Sequence, residues 1–263
     1  MPYMHNLRKY SAAPYTVAIV HGGPGAPGEV APVAKELSGT YGVLEPLQTQ
    51  STMSGQIEEL ATVLKDNTSV PITLIGHSWG AMLSFIVTAQ NPDLIKKLIL
   101  IGSGVYEEQY TADIMNVRLS KLTDDEIKTF DSILAQLNNP AVIDKNAVFE
   151  KFGKLIDKAD SYDPLPHDSD VTEYQYEMFN NVWPEARELR ASGELLALGK
   201  KIKCPVVAIH GDHDPHPRAG IEIPLAKVLD DFRFITLEKC GHYPWYERHA
   251  KEKFHDVLIR ELQ

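Results

Sequence analysis

Cysteine is scarce: Cys204 and Cys240 are the only two in 263 residues. Without a Cys-x-x-Cys pair there is no thiol redox motif and no cysteine-rich zinc knuckle. Cys204 opens one expected strand and Cys240 follows the end of the next. In a parallel sheet those positions lie on opposite edges, too far apart for the ~7 Å Cα separation that a disulfide tolerates. Both are therefore expected as free thiols. Long apolar runs are also missing, and none approaches the ~20 residues of a membrane-spanning helix. Arg8 and Lys9 ahead of the apolar stretch 16–20 faintly mimic a leader. That stretch is short, sits behind Pro14 and runs straight into a Gly/Pro loop, so it reads as a core strand, and the cytoplasm is the expected compartment. Positive charge is not in excess either. Lys and Arg number 26 against 36 Asp and Glu, a net charge of −10 with an isoelectric point near 5.5. Neither nucleic acid nor an anionic membrane is an expected partner of such a chain. Repeats and low-complexity tracts are lacking, and the oligomeric state is left open.

What is present is an ordinary soluble composition, 43% apolar and 24% charged, with enough residues for one sizeable core. Strand-like apolar runs at 16–20, 41–44, 72–75 and 97–101 alternate with helical patterns at 28–37, 53–64 and 79–89. The alternation stops at about residue 105. From there to about 200 the chain is helical, polar and acidic, with 19 acidic against 10 basic residues, a net of −9. Strands resume at 206–210 and 232–237, and a helix over 245–262 ends the chain. Strand–helix alternation predicts an α/β fold, a mostly parallel sheet with helices on both faces. The expected organisation is a core of residues 1–104 and 201–263 and an inserted helical cap of residues 105–200. The cap's charge reads first as a solvated surface, and second as a negative field favouring cationic substrates.

Gly76-His77-Ser78-Trp79-Gly80 joins a strand to a helix. A Gly-x-Ser-x-Gly turn there lifts the serine hydroxyl above the sheet edge, and the crowded flanking positions admit only glycine. A serine nucleophile needs a base, and the base needs an orienting carboxylate. His242, in the loop after the last strand, is the expected base. Asp214 is preferred as the acid over Asp212, which reads as a loop-capping residue. His5, His167, His249 and His255 lie outside any strand-end loop and read as surface residues. His21 and His77 flank the serine loop and read as hydrogen-bonding supports. His210, His213 and His216 share the acid loop. This His/Asp cluster could be read as a metal site, but Gly and Pro punctuate it and no His-x-x-x-His face exists, so neither metal nor cofactor is expected. His21-Gly22-Gly23-Pro24-Gly25 exposes backbone N–H groups, and Gly23 (or Gly22) with Trp79 are the expected oxyanion donors. The string is not Gly-x-Gly-x-x-Gly, so a phosphate-binding reading is weak.

Taken together, His-Gly-Gly-Pro-Gly, Gly-x-Ser-Trp-Gly, Gly-x-x-Asp and Gly-His resemble the α/β-hydrolase superfamily, and within it the proline iminopeptidase-like group. The resemblance spans the whole chain in order. It implies an acyl-enzyme on Ser78 and a helical cap before the acid. The chain departs from that group in having His77, where glycine is usual, before the serine. Family peptidases bind a substrate's free amine with cap carboxylates. Glu173 and Glu177, four apart on an expected helix and followed by Trp183, are the corresponding substrate-binding candidates. The expected partner is a small-molecule or short peptide substrate, and the expected reaction is hydrolysis of an amide. A carboxylester or thioester is the alternative, and a ligand receptor or lyase on the same scaffold the reading of another class.

Overall fold

The computed structural model describes residues 6–69 and 71–263. Among them seven strands form one sheet: β1 (Leu7–Tyr10), β2 (Tyr15–Val20), β3 (Gly42–Pro46), β4 (Ile72–His77), β5 (Ile95–Ile101), β6 (Val206–Gly211) and β7 (Phe232–Leu237). Their order is β1-β3-β2-β4-β5-β6-β7, parallel throughout except that β1 runs antiparallel to β3 at one edge. The sheet is thus mostly parallel, as the pattern of runs predicts. β1, with Arg8 and Lys9 in four residues, is too short and too charged to announce itself as a strand.

Alternate residues of each strand enter opposite layers. Ala18, Val20, Leu74, Leu98, Leu100 and Ala208 pack under α2 (Met53–Asn67), α3 (Trp79–Gln90) and α9 (Ala219–Val228). Val17, Ile19, Ile75, Ile99, Val207 and Ile209 pack under α1 (Ala31–Leu37) and α10 (Lys251–Leu262). A buried aliphatic side chain contributes roughly 1.5–3 kcal/mol, so a one-residue slip in the central strands would misplace both layers at once. α3 lies against the middle of the sheet and is buried at every position but Gln90. That is why its sequence is apolar all round rather than amphipathic.

Between β5 and β6 come α4 (Ile114–Ser120), α5 (Asp124–Asn138), α6 (Lys145–Asp160), α7 (Tyr176–Ala191) and the short α8 (Glu194–Ala197). α5 begins with a capping box between Thr123 and Glu126, and Asp144 caps α6. Ile133, Leu137, Val148 and Phe149 give α5 and α6 a small core of their own.

Two helix starts differ from expectation, and one helix is unexpected. The helix expected over 28–37 starts at Ala31, because Gly28 has φ +99 and a Cβ there would lie 2.5 Å from the Asp170 carbonyl oxygen. The helix expected from 245 begins at Lys251, because buried Trp245 and Glu247 hold a turn-rich loop instead. α9 carries no clear sequence signal, since Pro224 sits inside it. Both cysteines are free, Cys240 buried and Cys204 half-buried.

Candidate active site

β4 stops at His77, and the chain reverses into α3 through Ser78, whose backbone has φ 52 and ψ −116. A non-glycine residue at positive φ costs on the order of 1–2 kcal/mol and persists only where its surroundings hold it. Here the Ser78 N–H donates to the Ile101 carbonyl at 3.0 Å. The flanking glycines are forced by contact. A Cβ on Gly76 would stand 2.2 Å from the Gly80 carbonyl oxygen, and one on Gly80 would stand 2.3 Å from that of Val20. Ser78 consequently sits at the carboxyl edge of the sheet, at the N-terminus of α3.

The loops after β6 and β7 bring the candidate acid and base to the same edge. His242 Nδ1 donates to Asp214 Oδ2 at 2.7 Å, and both residues are buried. Asp212 faces elsewhere, accepting from the Cys240 N–H at 3.1 Å and pairing with exposed His213 at 2.6 Å. Burial pushes Asp214 up, but the imidazoles of His242, His210 and His216 outweigh it and hold the carboxyl well below its usual range. Burial pulls His242 down, but the Asp214 charge and hydrogen bond more than offset this, so its affinity for a proton is raised. Ser78, His242 and His216 line one cavity. Among the described residues no hydrogen bond joins the Ser78 hydroxyl to His242, a link that often tightens only when substrate is bound.

The glycine loop after β2 closes the other side. The Gly22 N–H donates to Glu29 Oε2 at 2.7 Å and is therefore committed, whereas Gly23, at φ +31, lines the cavity beside Ser78 and Trp79. As the first residue of α3, Trp79 has an N–H with no helical acceptor. His21 is buried, which lowers its proton affinity to a pKa of about 4. Its ring bonds the Gly22 carbonyl at 2.9 Å. His77 spans the back of the site, with Nδ1 2.9 Å from Glu29 Oε2 and Nε2 3.0 Å from the His242 carbonyl oxygen. Glu29 is a residue that motif reading passes over. Its only signal is being a single acid in the apolar stretch after the glycine loop.

The cavity above Ser78 holds about 420 Å³. Phe149, Phe152, Ile156, Phe179 and Trp183 form much of its wall. Of the three substrate-binding candidates from the cap, Trp183 lines this cavity. Glu173 and Glu177 do not: both are exposed and neither lines the cavity. α7 begins only at Tyr176, so the two do not share a helix. The segment before α7 is instead pinned to the glycine loop, with Gln175 N–H donating to Gly25 O and Thr172 N–H to Pro27 O, both at 2.9 Å. The carboxyls that do face the cavity from the helical segment are Asp157, Asp160 and Asp170. Arg118 holds both oxygens of Asp160 at 2.6 Å, and Lys35 holds Asp170 at 2.8 Å. Among the described residues no cation pairs with Asp157; it accepts from the Tyr243 hydroxyl at 2.7 Å, and burial pushes its carboxyl up to about 7. Of the remaining histidines, His167 is exposed but lines the cavity, stacked on Tyr246 at 3.5 Å. His249 is exposed, His255 is half-buried, and His5 lies outside the described residues.

Among the described residues no helix is long and apolar enough to cross a membrane. In comparisons with known proteins, 33% identity over 66 residues relates the chain to monoglyceride lipase of Mus musculus, a match taking in 25% of this chain and 22% of that one. The fold is shared more widely. VinJ superposes with a TM-score of 0.67 at 18% identity, over 97% of this chain and 93% of that one. The meta-cleavage product hydrolase of Pseudomonas fluorescens IP01 gives 0.64 at 14% identity, over 97% and 92%. The thioesterase domain from the curacin biosynthetic pathway gives 0.60 at 14%, over 97% and 94%. The family model described as the alpha/beta hydrolase fold matches residues 45–248, most of the sheet and the whole helical segment, and the chain belongs to that family.

Proposed function

We propose that the protein is a serine hydrolase that cleaves a carboxylester or thioester of an apolar acyl group through an acyl-enzyme on Ser78. The observation that carries the ester over the amide is the cavity wall: aromatic and aliphatic side chains surround Ser78, and Glu173 and Glu177 point to solvent. Ser78 Oγ attacks the carbonyl carbon while His242 takes its proton. The N–H groups of Gly23 and Trp79 hold the oxyanion, and Asp214 holds the imidazolium that forms. His242 then passes the proton to the leaving alcohol or thiol. Water repeats the sequence on the acyl-enzyme, returning the acid and free Ser78. No cofactor takes part. Residues 105–200 act as a cap that supplies the acyl pocket.

The amide reading, with its resemblance to the proline iminopeptidase-like group, stands second. What favours it is Asp157, an unneutralised carboxyl on the cavity wall that could receive an ammonium group. Turnover of short-chain aryl esters against aminoacyl-arylamides, with the amine free and blocked, separates the two in wild type and Ser78→Ala. Ester turnover lost in Ser78→Ala is the expected result. Turnover of free-amine amides alone sinks the ester reading, and full activity of Ser78→Ala sinks the mechanism.

A further inference from the structure

Asp214 has more than one imidazole. Its Oδ2 takes the His242 Nδ1–H, while Oδ1 accepts from the His216 backbone N–H at 2.9 Å and from His216 Nδ1 at 2.8 Å. His216 is held from behind as well, because His210 Nε2 donates to its carbonyl oxygen at 2.9 Å. The His216 and His242 rings lie 5.0 Å apart at 36°, and both face the cavity. A hydrogen bond on one carboxylate oxygen draws charge away from the other. We propose that His216 is a positioning residue of the catalytic set: by holding Oδ1 of Asp214 it limits the charge that Oδ2 presents to His242, and so keeps His242 a weaker, more readily emptied base.

The inference rests on the reading of Ser78, His242 and Asp214 as nucleophile, base and acid. Its chemistry agrees with the local charges. Burial lowers the proton affinity of His216 more than Asp214 restores it, and beside a carboxylate that only accepts, Nδ1 is the ring nitrogen that carries a proton. The other titratable groups facing this cluster are His210 on β6, Arg118 on α4 and Lys121 just beyond it, Asp157 and Asp160 on α6, His77 on β4, and Tyr243, whose ring lies 5.0 Å from that of His242. All of them remain in a His216 variant, so a change on substitution reports the Oδ1 contact.

The test is the pH dependence of Ser78 labelling by an alkyl fluorophosphonate, in which the serine oxygen displaces fluoride from phosphorus and His242 takes the serine proton. Labelling needs neutral His242, and its acid limb reads that group without any assumption about the natural substrate. His216→Phe removes the donor but keeps a ring. His216→Asn keeps an N–H near the Nδ1 position. The acid limb of His216→Phe should move to higher pH by on the order of half a unit to one unit, and His216→Asn should restore it. Thermal melts accompany each variant, and His216→Met replaces His216→Phe if the latter fails to fold. Coincident limbs for wild type and His216→Phe, or equal displacement in both variants, overturn the inference while leaving the serine hydrolase intact. If wild type is not labelled at any pH, or Ser78→Ala is labelled equally, the serine hydrolase reading falls and the inference with it.

Discussion

Asp214→Asn should nearly abolish turnover, for a reason fixed by the geometry at Oδ1. Two donors converge there, the His216 N–H and the His216 ring, at 2.9 and 2.8 Å. An asparagine in this place must turn its carbonyl oxygen toward them, because an NH2 group would meet two donors. Its NH2 then points at His242 Nδ1, which sits 2.7 Å from Oδ2 in the wild type. His242 must in turn accept at Nδ1 and carry its proton on Nε2, the nitrogen that should receive the Ser78 proton. The wrong-tautomer effect costs about 10⁴ in kcat where it has been measured in a serine protease, roughly 5.5 kcal/mol. Initial rates on an aryl ester, with fluorophosphonate labelling to count competent sites, would measure it here. Asp212→Asn is the control and should stay within about threefold of wild type, since Asp212 bonds to exposed His213 and to the backbone at Lys239 and Cys240 rather than to His242. Retention of a tenth of the activity by Asp214→Asn, with a normal melt, would refute the argument.

Gly76→Ala should cost about 1–3 kcal/mol or more in stability, because its methyl would press on the Gly80 carbonyl 2.2 Å away; a Tm within 1 °C of wild type would contradict it. Asp157, with its carboxyl pushed up to about 7, should ionise across the neutral range. A raised pKa means the neutral acid dominates below that value and the anion above it. The kcat/KM ratio for an acyl ester bearing an ammonium group over its uncharged isostere should therefore rise about tenfold from pH 6 to 8, and stay flat in Asp157→Asn. A flat wild-type ratio would remove Asp157 from substrate recognition.

The parts of the molecule set by short-range rules were readable in the sequence. Apolar runs of four or five residues mark β2, β4, β5 and β6, because strands buried on both faces have little polar alternation to obscure them, whereas β7 at the sheet edge is marked by Phe232, Phe234, Ile235 and Leu237. Gly76 and Gly80 announce the turn at Ser78, since backbone contact there excludes every side chain. Legibility falls where a residue's partner is remote in sequence. Glu29 joins His77 across 48 positions, and Arg118 joins Asp160 across 42. Glu247 accepts N–H bonds from Gly241, Tyr162 and Asp163, tying the loop of His242 to the end of α6. None of these has a local motif. The cavity wall fails for a related reason. Glu173 and Glu177 look paired on a helix, but the segment before α7 is not helical and its backbone bonds to the glycine loop, and no propensity encodes that contact.

The acidity of residues 105–200 also reads differently once the side chains are placed. A net charge of −9 on that segment suggests a negative field over the site mouth. Much of it is answered locally or lies away from the cavity: Lys158 pairs with Glu126, Lys154 with Glu150, Lys128 with Asp125, and Arg190 with Glu108. Exposed pairs of this kind are screened within a Debye length of ~8 Å at physiological salt, so they contribute little to the potential at Ser78. Of the three carboxyls that the segment turns toward the cavity, Arg118 answers Asp160 and Lys35 answers Asp170. Of the segment's charge, what can reach the site thus comes down to Asp157 rather than to the composition of the segment. That carboxyl sits in a cavity walled by Phe149, Phe152 and Phe179, against apolar side chains rather than on the outer surface. One ionisation there outweighs many on the outer face of the same helices, because the interaction scales inversely with both distance and dielectric.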